Sequence, residues 1–80
     1  MIYFVALPFT PMEAGLAPGQ AVECTSAPAA IRRAQAMAAD KVNAGALAFS
    51  RRGDPNLGEF EDALILKAFG EVPKDLGTGA

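Results

Sequence analysis

One segment of the chain has the periodicity of an amphipathic helix, and segments with the composition of β-strands lie on both sides of it. Over residues 27–43, apolar side chains recur every three or four positions, which predicts a helix with one packed side. These side chains are Ala27, Ala30, Ile31, Ala34, Met37, Ala38 and Val42. Ser26 precedes the helix as a capping residue, and Gly45 supplies a left-handed stop after it. Because most of the packed residues are alanines, the helix can approach a sheet closely.

Two strands are predicted before the helix. Residues 2–7 are mostly β-branched or aromatic, and Pro8 ends this first strand because proline lacks a backbone N–H. Residues 10–19 contain two prolines and two glycines, which predicts an irregular loop. Residues 20–25 alternate between the two faces of a short strand, which we place at an edge of the sheet.

Two more strands are predicted after the helix. Residues 46–51 form the third strand, with Leu47 and Phe49 on the same face. Turn-forming residues at 53–58 predict a hairpin that leads into a fourth strand over residues 59–69. This fourth strand has apolar residues on both of its faces, whereas one helix covers only one face of a sheet.

These elements predict an α+β fold of order ββαββ, in which a four-stranded antiparallel sheet carries one helix on one face. Two antiparallel hairpins and a right-handed crossover give the strand order two-one-three-four. The 80 residues are predicted to form a single domain, 1–80, with a flexible tail from about residue 74 to residue 80. A chain of this size buries only about 60% of its unfolded surface, so association with a partner is a natural way to bury more.

Charge and residue chemistry argue against several functions. The net charge of −2 and the pI near 4.9 provide no positive field for phosphate backbones, so nucleic-acid binding is disfavoured. The chain has no histidine and one cysteine, Cys24, which removes the usual nucleophile arrangements and zinc sites with nitrogen or sulfur ligands. No glycine motif for phosphate binding occurs. We therefore predict no enzyme activity, no catalytic residue, no metal and no cofactor.

The sequence also predicts a soluble, cytoplasmic protein that does not bind membranes. Its apolar first residues lack the positive charge of a signal peptide, because Arg32 is the first basic side chain. No apolar run approaches the about 20 residues that a membrane-spanning helix requires. The lone cysteine fits a reducing compartment.

Several of these segments together resemble small uncharacterised bacterial proteins that are treated as domains of unknown function. The segments are residues 2–5, 29–34, 46–50, 53–55 and 69–73. The resemblance extends over almost the whole chain, and its motifs are packing and turn motifs. It implies the fold and assigns no catalytic, cofactor-binding or partner-binding residue.

The surplus of apolar residues on the sheet predicts a protein-interaction module or accessory subunit, which pairs with a second copy or with another protein. Phe49 and Leu64 are the candidate interface residues. A single well-filled core is the competing interpretation of the same apolar sheet residues. The alternative is a regulatory domain that binds a small ligand or anion. Its candidate contacts are the two basic doublets, Arg32, Arg33, Arg51 and Arg52. Ordinary surface charge is the competing interpretation of these arginines.

Overall fold

The computed structural model describes residues 1–54 and 56–73, and within them the α+β class with one helix on an antiparallel sheet is confirmed. In chain order the elements are β1 (Ile2–Met12), β2 (Gly15–Pro18), β3 (Val22–Cys24), α1 (Ala27–Ala39), β4 (Gly45–Asp54), β5 (Glu59–Phe60) and β6 (Leu64–Gly70). The tail predicted at residues 74–80 lies outside the described residues.

The two longest strands, β1 and β4, form the centre of the sheet and pair from Ile2 opposite Arg52 to Phe9 opposite Gly45. β3 and then β2 pair with the outer side of β1, and β6 and β5 pair with the outer side of β4. The order β3-β1-β4-β6 is therefore the predicted order two-one-three-four. The expectation of four strands was too low, because β2 and β5 extend the sheet within the described ranges.

The additional strand β2 arises where a loop was predicted. β1 continues through Pro8 to Met12, turns at residues 13–14 and pairs back as β2, so the predictions of a strand end and an irregular loop are both wrong. Pro8 lies between the part of β1 that pairs with β3 and the part that pairs with β2. Its carbonyl oxygen accepts a hydrogen bond of 2.8 Å from the N–H of Gly19. Proline is tolerated there because its missing N–H would point at the gap between two short edge strands.

The helix begins where the sequence predicts. Oγ of Ser26 accepts a hydrogen bond of 3.2 Å from the N–H of Ala29, and Pro28 occupies the first turn, where no N–H donor is needed. Ala30 and Ala34 are fully buried, and three more of the predicted residues pack against the core. These are Ile31, Met37 and Ala38.

The helix ends at Ala39 rather than at about residue 43, and this part of the prediction is wrong. The carboxylate of Asp40 accepts a hydrogen bond of 3.1 Å from the N–H of Val42, and Nδ2 of Asn43 donates one of 2.9 Å to the carbonyl of Met37. These polar side chains satisfy backbone groups at the helix end, as capping requires. Val42 is therefore beyond the helix and 67% exposed.

Gly45, the predicted helix stop, is instead the first residue of β4 and is buried. A Cβ atom at this position would collide with the carbonyl oxygens of Phe69 and Glu71. The glycine is thus required by the close approach of the chain that leaves β6, and not by a left-handed backbone conformation.

The predicted fourth strand is divided into two strands. β5 pairs with the end of β4, residues 61–63 leave the ladder, and β6 pairs with the rest of β4. Within β6, Ile65 pairs with Phe49 and Lys67 pairs with Ala48, which leaves Leu66 as the extra residue of a β-bulge. The prediction of one continuous strand over residues 59–69 is therefore wrong, and the bulge also changes which of its side chains share a face.

The core between α1 and the sheet is built almost entirely from small side chains. Its fully buried members are Ala6, Ala30, Ala34, Ala46 and Ala48. Larger side chains such as Phe4, Leu66 and Phe69 pack around this centre and remain partly exposed. Because alanine occupies both the helix and the sheet at the contact, α1 lies close to β1 and β4.

Candidate functional site

The sheet has a second face, opposite α1, which we call the helix-free face. Because side chains alternate along a strand, the neighbours of the buried alanines of β1 and β4 point to this face. Strand register adds side chains from β3 and β6. The residues of the helix-free face are Tyr3, Val5, Leu7, Phe9, Glu23, Leu47, Phe49, Arg51, Ile65 and Ala68.

Burial differs between the two ends of the helix-free face. At one end Phe9 and Leu47 are only 2% and 3% exposed. At the other end Tyr3, Val5 and Phe49 are half-buried although they are apolar or aromatic. The second end is therefore where the aromatic side chains of this face remain accessible to a partner, whereas the less buried residues of the first end are Leu7 and Ala68.

The accessible end contains a surface pocket of about 530 Å³, which we call the sheet pocket. Its lining residues are Tyr3, Val5, Ala21, Glu23, Phe49 and Arg51. Val5 pairs with Phe49 on one side and with Glu23 on the other, and Tyr3 pairs with Arg51. The floor is thus apolar, with a carboxylate on the β3 side and a guanidinium on the β4 side.

Of the pocket residues, Phe49 and Arg51 were predicted as site residues from the sequence, whereas Tyr3, Val5 and Glu23 were not. Alternation along the first strand and along residues 20–25 could have placed these residues on faces. The missing information was which face α1 covers, since that decides whether the side chains become core or surface.

Arg51 is held in position by the chain that follows β5. Its Nε donates a hydrogen bond of 2.9 Å to the carbonyl oxygen of Glu61. The N–H of Glu61 in turn donates one of 2.7 Å to the carbonyl of Arg52. Nε of Arg52 lies 3.9 Å from the Glu61 carboxylate, an exposed ion pair of small energetic value. The backbone of residue 61 therefore orients Arg51 at the rim of the sheet pocket.

The structure does not bring the four candidate arginines onto one surface. Arg51 is on the helix-free face, whereas Arg52, the next residue on the strand, points to the side of α1. Arg32 and Arg33 are exposed on α1 itself. The sheet therefore separates Arg51 from the arginines of the helix.

The two candidate interface residues also lie on opposite faces. Phe49 lines the sheet pocket, but Leu64 pairs with the buried Ser50 and is on the side of α1. There Leu64 is 66% exposed and lines a second surface pocket with Ile2 and Arg52. A single flat contact surface includes Phe49 or Leu64, and not both.

Other chemical groups in the described part of the chain are dispersed. No three acidic or cysteine side chains converge there on a metal position. Cys24 is half-buried against the alanine core, and its Sγ lies 3.7 Å from the carbonyl oxygen of Val22. Among the same residues, no helix has the length and apolarity needed to cross a membrane.

Comparison with known proteins gives no relative from which a function could be transferred. A scan against protein-family models found no matching family, and searches of curated proteins and of solved structures found no significant match. The resemblance to small bacterial proteins of unknown function therefore stays a prediction.

Proposed function

We propose that this chain is a non-enzymatic protein-interaction module that forms a homodimer through the sheet pocket. The observation that carries the proposal is the accessible apolar floor made by Tyr3, Val5 and Phe49 on the helix-free face. In so small a protein, covering this floor with a partner adds to a core that is otherwise centred on alanines. Aromatic side chains at the centre of a contact surface are typical of interfaces.

The shape of the sheet pocket favours a protein partner over a small ligand. Its volume of about 530 Å³ is within the range of ligand sites, so volume does not discriminate. The floor, however, is a sheet surface from β1 and β4, with Glu23 and Ala21 at one side. Ligand sites are concave and enclose most of the ligand, whereas a sheet surface fits another flat surface.

The composition of the pocket supports a binding role rather than catalysis. Its ionisable side chains are the carboxylate of Glu23, the guanidinium of Arg51 and the phenol of Tyr3. General acid–base or nucleophilic chemistry requires a nucleophile held against a base. The phenol donates a hydrogen bond of 3.4 Å to the thioether sulfur of Met1.

Anion binding is the second candidate from the sequence, and the placement of the arginines gives it less support. Arg52 is next to the carboxylate of Glu61, and Arg51 is separated from Arg32 and Arg33 by the sheet. Strong anion sites bring several donors together around one ligand.

A cytoplasmic location is part of the main proposal, and the single cysteine, Cys24, supports it.

The experiment that tests the proposal is multi-angle light scattering over a concentration series from about 1 µM to about 1 mM, which covers weak and moderate affinities. We expect the mass to rise to twice the 8.3 kDa of one chain. A mass of one chain at every concentration would overturn the homodimer. A larger assembly would contradict a single two-fold contact surface.

A further inference from the structure

We infer that the second copy packs about a two-fold axis that runs nearly along β1, so that Glu23 of each copy lies against Arg51 of the other. This inference rests on the proposed function and specifies the geometry of its interface. It follows from the positions of the two charges around the apolar floor.

The two charges lie on opposite sides of β1. Glu23 is on β3 and level with Val5, whereas Arg51 is on β4 and level with Tyr3. The apolar side chains of β1 therefore lie between a negative and a positive group. If a second copy is rotated so that its β3 side faces the β4 side of the first, its negative group lies against the positive group of the first copy.

Among two-fold axes that keep the strands of the two sheets nearly aligned, the axis along β1 makes this exchange. A two-fold axis in the plane between the sheets and along β1 places β3 of one copy over β4 of the other, which brings Glu23 over the side that carries Arg51. An axis in the same plane but perpendicular to the strands would place β3 over β3 and β4 over β4, so Glu23 would lie on the side of the partner's Glu23. Packed sheets lie about 10 Å apart with their strands within about 30° of each other, and an axis close to β1 gives that arrangement.

The remaining offset is within reach of the two side chains. Glu23 and Arg51 differ in level by two residues along the strand direction, which is about 7 Å. Both side chains are exposed, and arginine and glutamate are long enough to meet across that offset. The hydrogen bond from Arg51 Nε to the Glu61 carbonyl restrains the guanidinium, so this group is already oriented at the rim of the sheet pocket before a partner binds.

A two-fold interface uses the same patch on both copies, so every contact occurs twice. The dimer therefore contains two equivalent Glu23–Arg51 contacts, one on each side of the apolar floor of Tyr3, Val5 and Phe49. The pairs favour this orientation of the dimer over the one about an axis perpendicular to the strands, which would bring like charges together.

The test uses charge reversal in the full chain, with Glu23→Arg and Arg51→Glu made separately. Each variant alone would have like charges at both contacts of its dimer. We expect each to raise the dimer dissociation constant by about tenfold or more, which is about 1.4 kcal/mol. Mixed in equal amounts, the two variants have opposite charges at both contacts of a heterodimer. We therefore expect the mixture to recover the dimer mass in light scattering.

Arg52→Glu is the matched control, because Arg52 is also an exposed arginine of β4 but points to the other side of the sheet. It should leave the dimer unchanged. Recovery in the mixture also excludes damage to the fold, since two damaged chains would not restore each other. A mixture that stays monomeric, or single variants that dimerise as well as the natural chain, would overturn the inference.

The outcomes separate this inference from the proposed function. If the natural chain is a dimer that Phe49→Ala weakens but the charge variants do not, the interface stands and the Glu23–Arg51 geometry is wrong. If the natural chain is monomeric throughout, both the homodimer and its geometry are wrong.

Discussion

Val5 of β1 lies directly opposite Phe49 of β4, and both side chains are on the face of the sheet that α1 does not cover. Both are half-buried in the single chain. The pair is therefore the centre of the apolar floor on which the proposed dimer depends.

Phe49→Ala is expected to weaken this dimer. Truncation removes aromatic surface from the centre of the interface, where the minority of residues that cost more than about 1 kcal/mol on truncation are concentrated. We expect the dissociation constant from light scattering to rise by about tenfold. Leu64→Ala, which also shortens a large apolar residue of the sheet but on the side of α1, should leave it unchanged. An effect of Leu64→Ala equal to that of Phe49→Ala would place the contact surface on the other face.

Ala34→Leu is expected to destabilise the fold. Ala34 is 0% exposed at the contact of α1 with the sheet, so the added methylenes have no space unless the helix moves away. Overpacking of this kind costs about 1–3 kcal/mol in the free energy of unfolding, which a urea titration measures. Ala36→Leu is the control, since Ala36 is exposed on the same helix. Equal stability of the two variants would mean that α1 does not lie close to the sheet.

Ser26→Ala is expected to lower stability by about 1 kcal/mol, because it removes the oxygen that accepts from the N–H of Ala29. Ser26→Asp should retain most of the stability, since its carboxylate can accept the same hydrogen bond. Thermal unfolding followed by circular dichroism compares the three chains at equal concentration. If Ser26→Asp were as unstable as Ser26→Ala, the side chain at this position would have another role.

Titration with inorganic phosphate is expected to reveal no common anion site. The four arginines are exposed on different surfaces, so each attracts phosphate weakly and by itself. In NMR spectra we expect small amide shifts near Arg32, Arg33, Arg51 and Arg52 that do not saturate together. A single saturable curve shared by all four arginines would instead support the anion-binding alternative.

Local rules predicted the start of α1 but not its end. The capping of α1 by Ser26 needs only a hydroxyl next to the first turn, and the sequence predicted it. The end of α1 also has a local cause, because Asp40 and Asn43 make side-chain hydrogen bonds to the backbone of Val42 and Met37, but the helical spacing of apolar residues continues to Val42 and favoured a longer helix. Pro8 has a long-range cause, since it is compatible with a strand only because the pairing on that side changes from β3 to β2.

The candidate site was predicted only in part for a related reason. Phe49 and Arg51 were identified from their types, and Leu64 was grouped with Phe49 because both are large or apolar residues of predicted strands. In the folded chain, Ile65 pairs with Phe49 and shares its face, whereas Leu64 lies on the other face. The bulge at Leu66 shifts the register of β6, so this placement cannot be predicted from a regular fourth strand.

By itself the sequence determined the α+β class, the order of the paired strands and the start of the helix, because periodicity, turn residues and capping act between residues close in the chain. Only the tertiary structure decided which face α1 covers, where β6 shifts its register, and therefore that Glu23 and Arg51 flank Tyr3, Val5 and Phe49 on one accessible surface. Those relationships depend on contacts between residues far apart in the chain, and a one-residue shift in strand register reverses every face assignment.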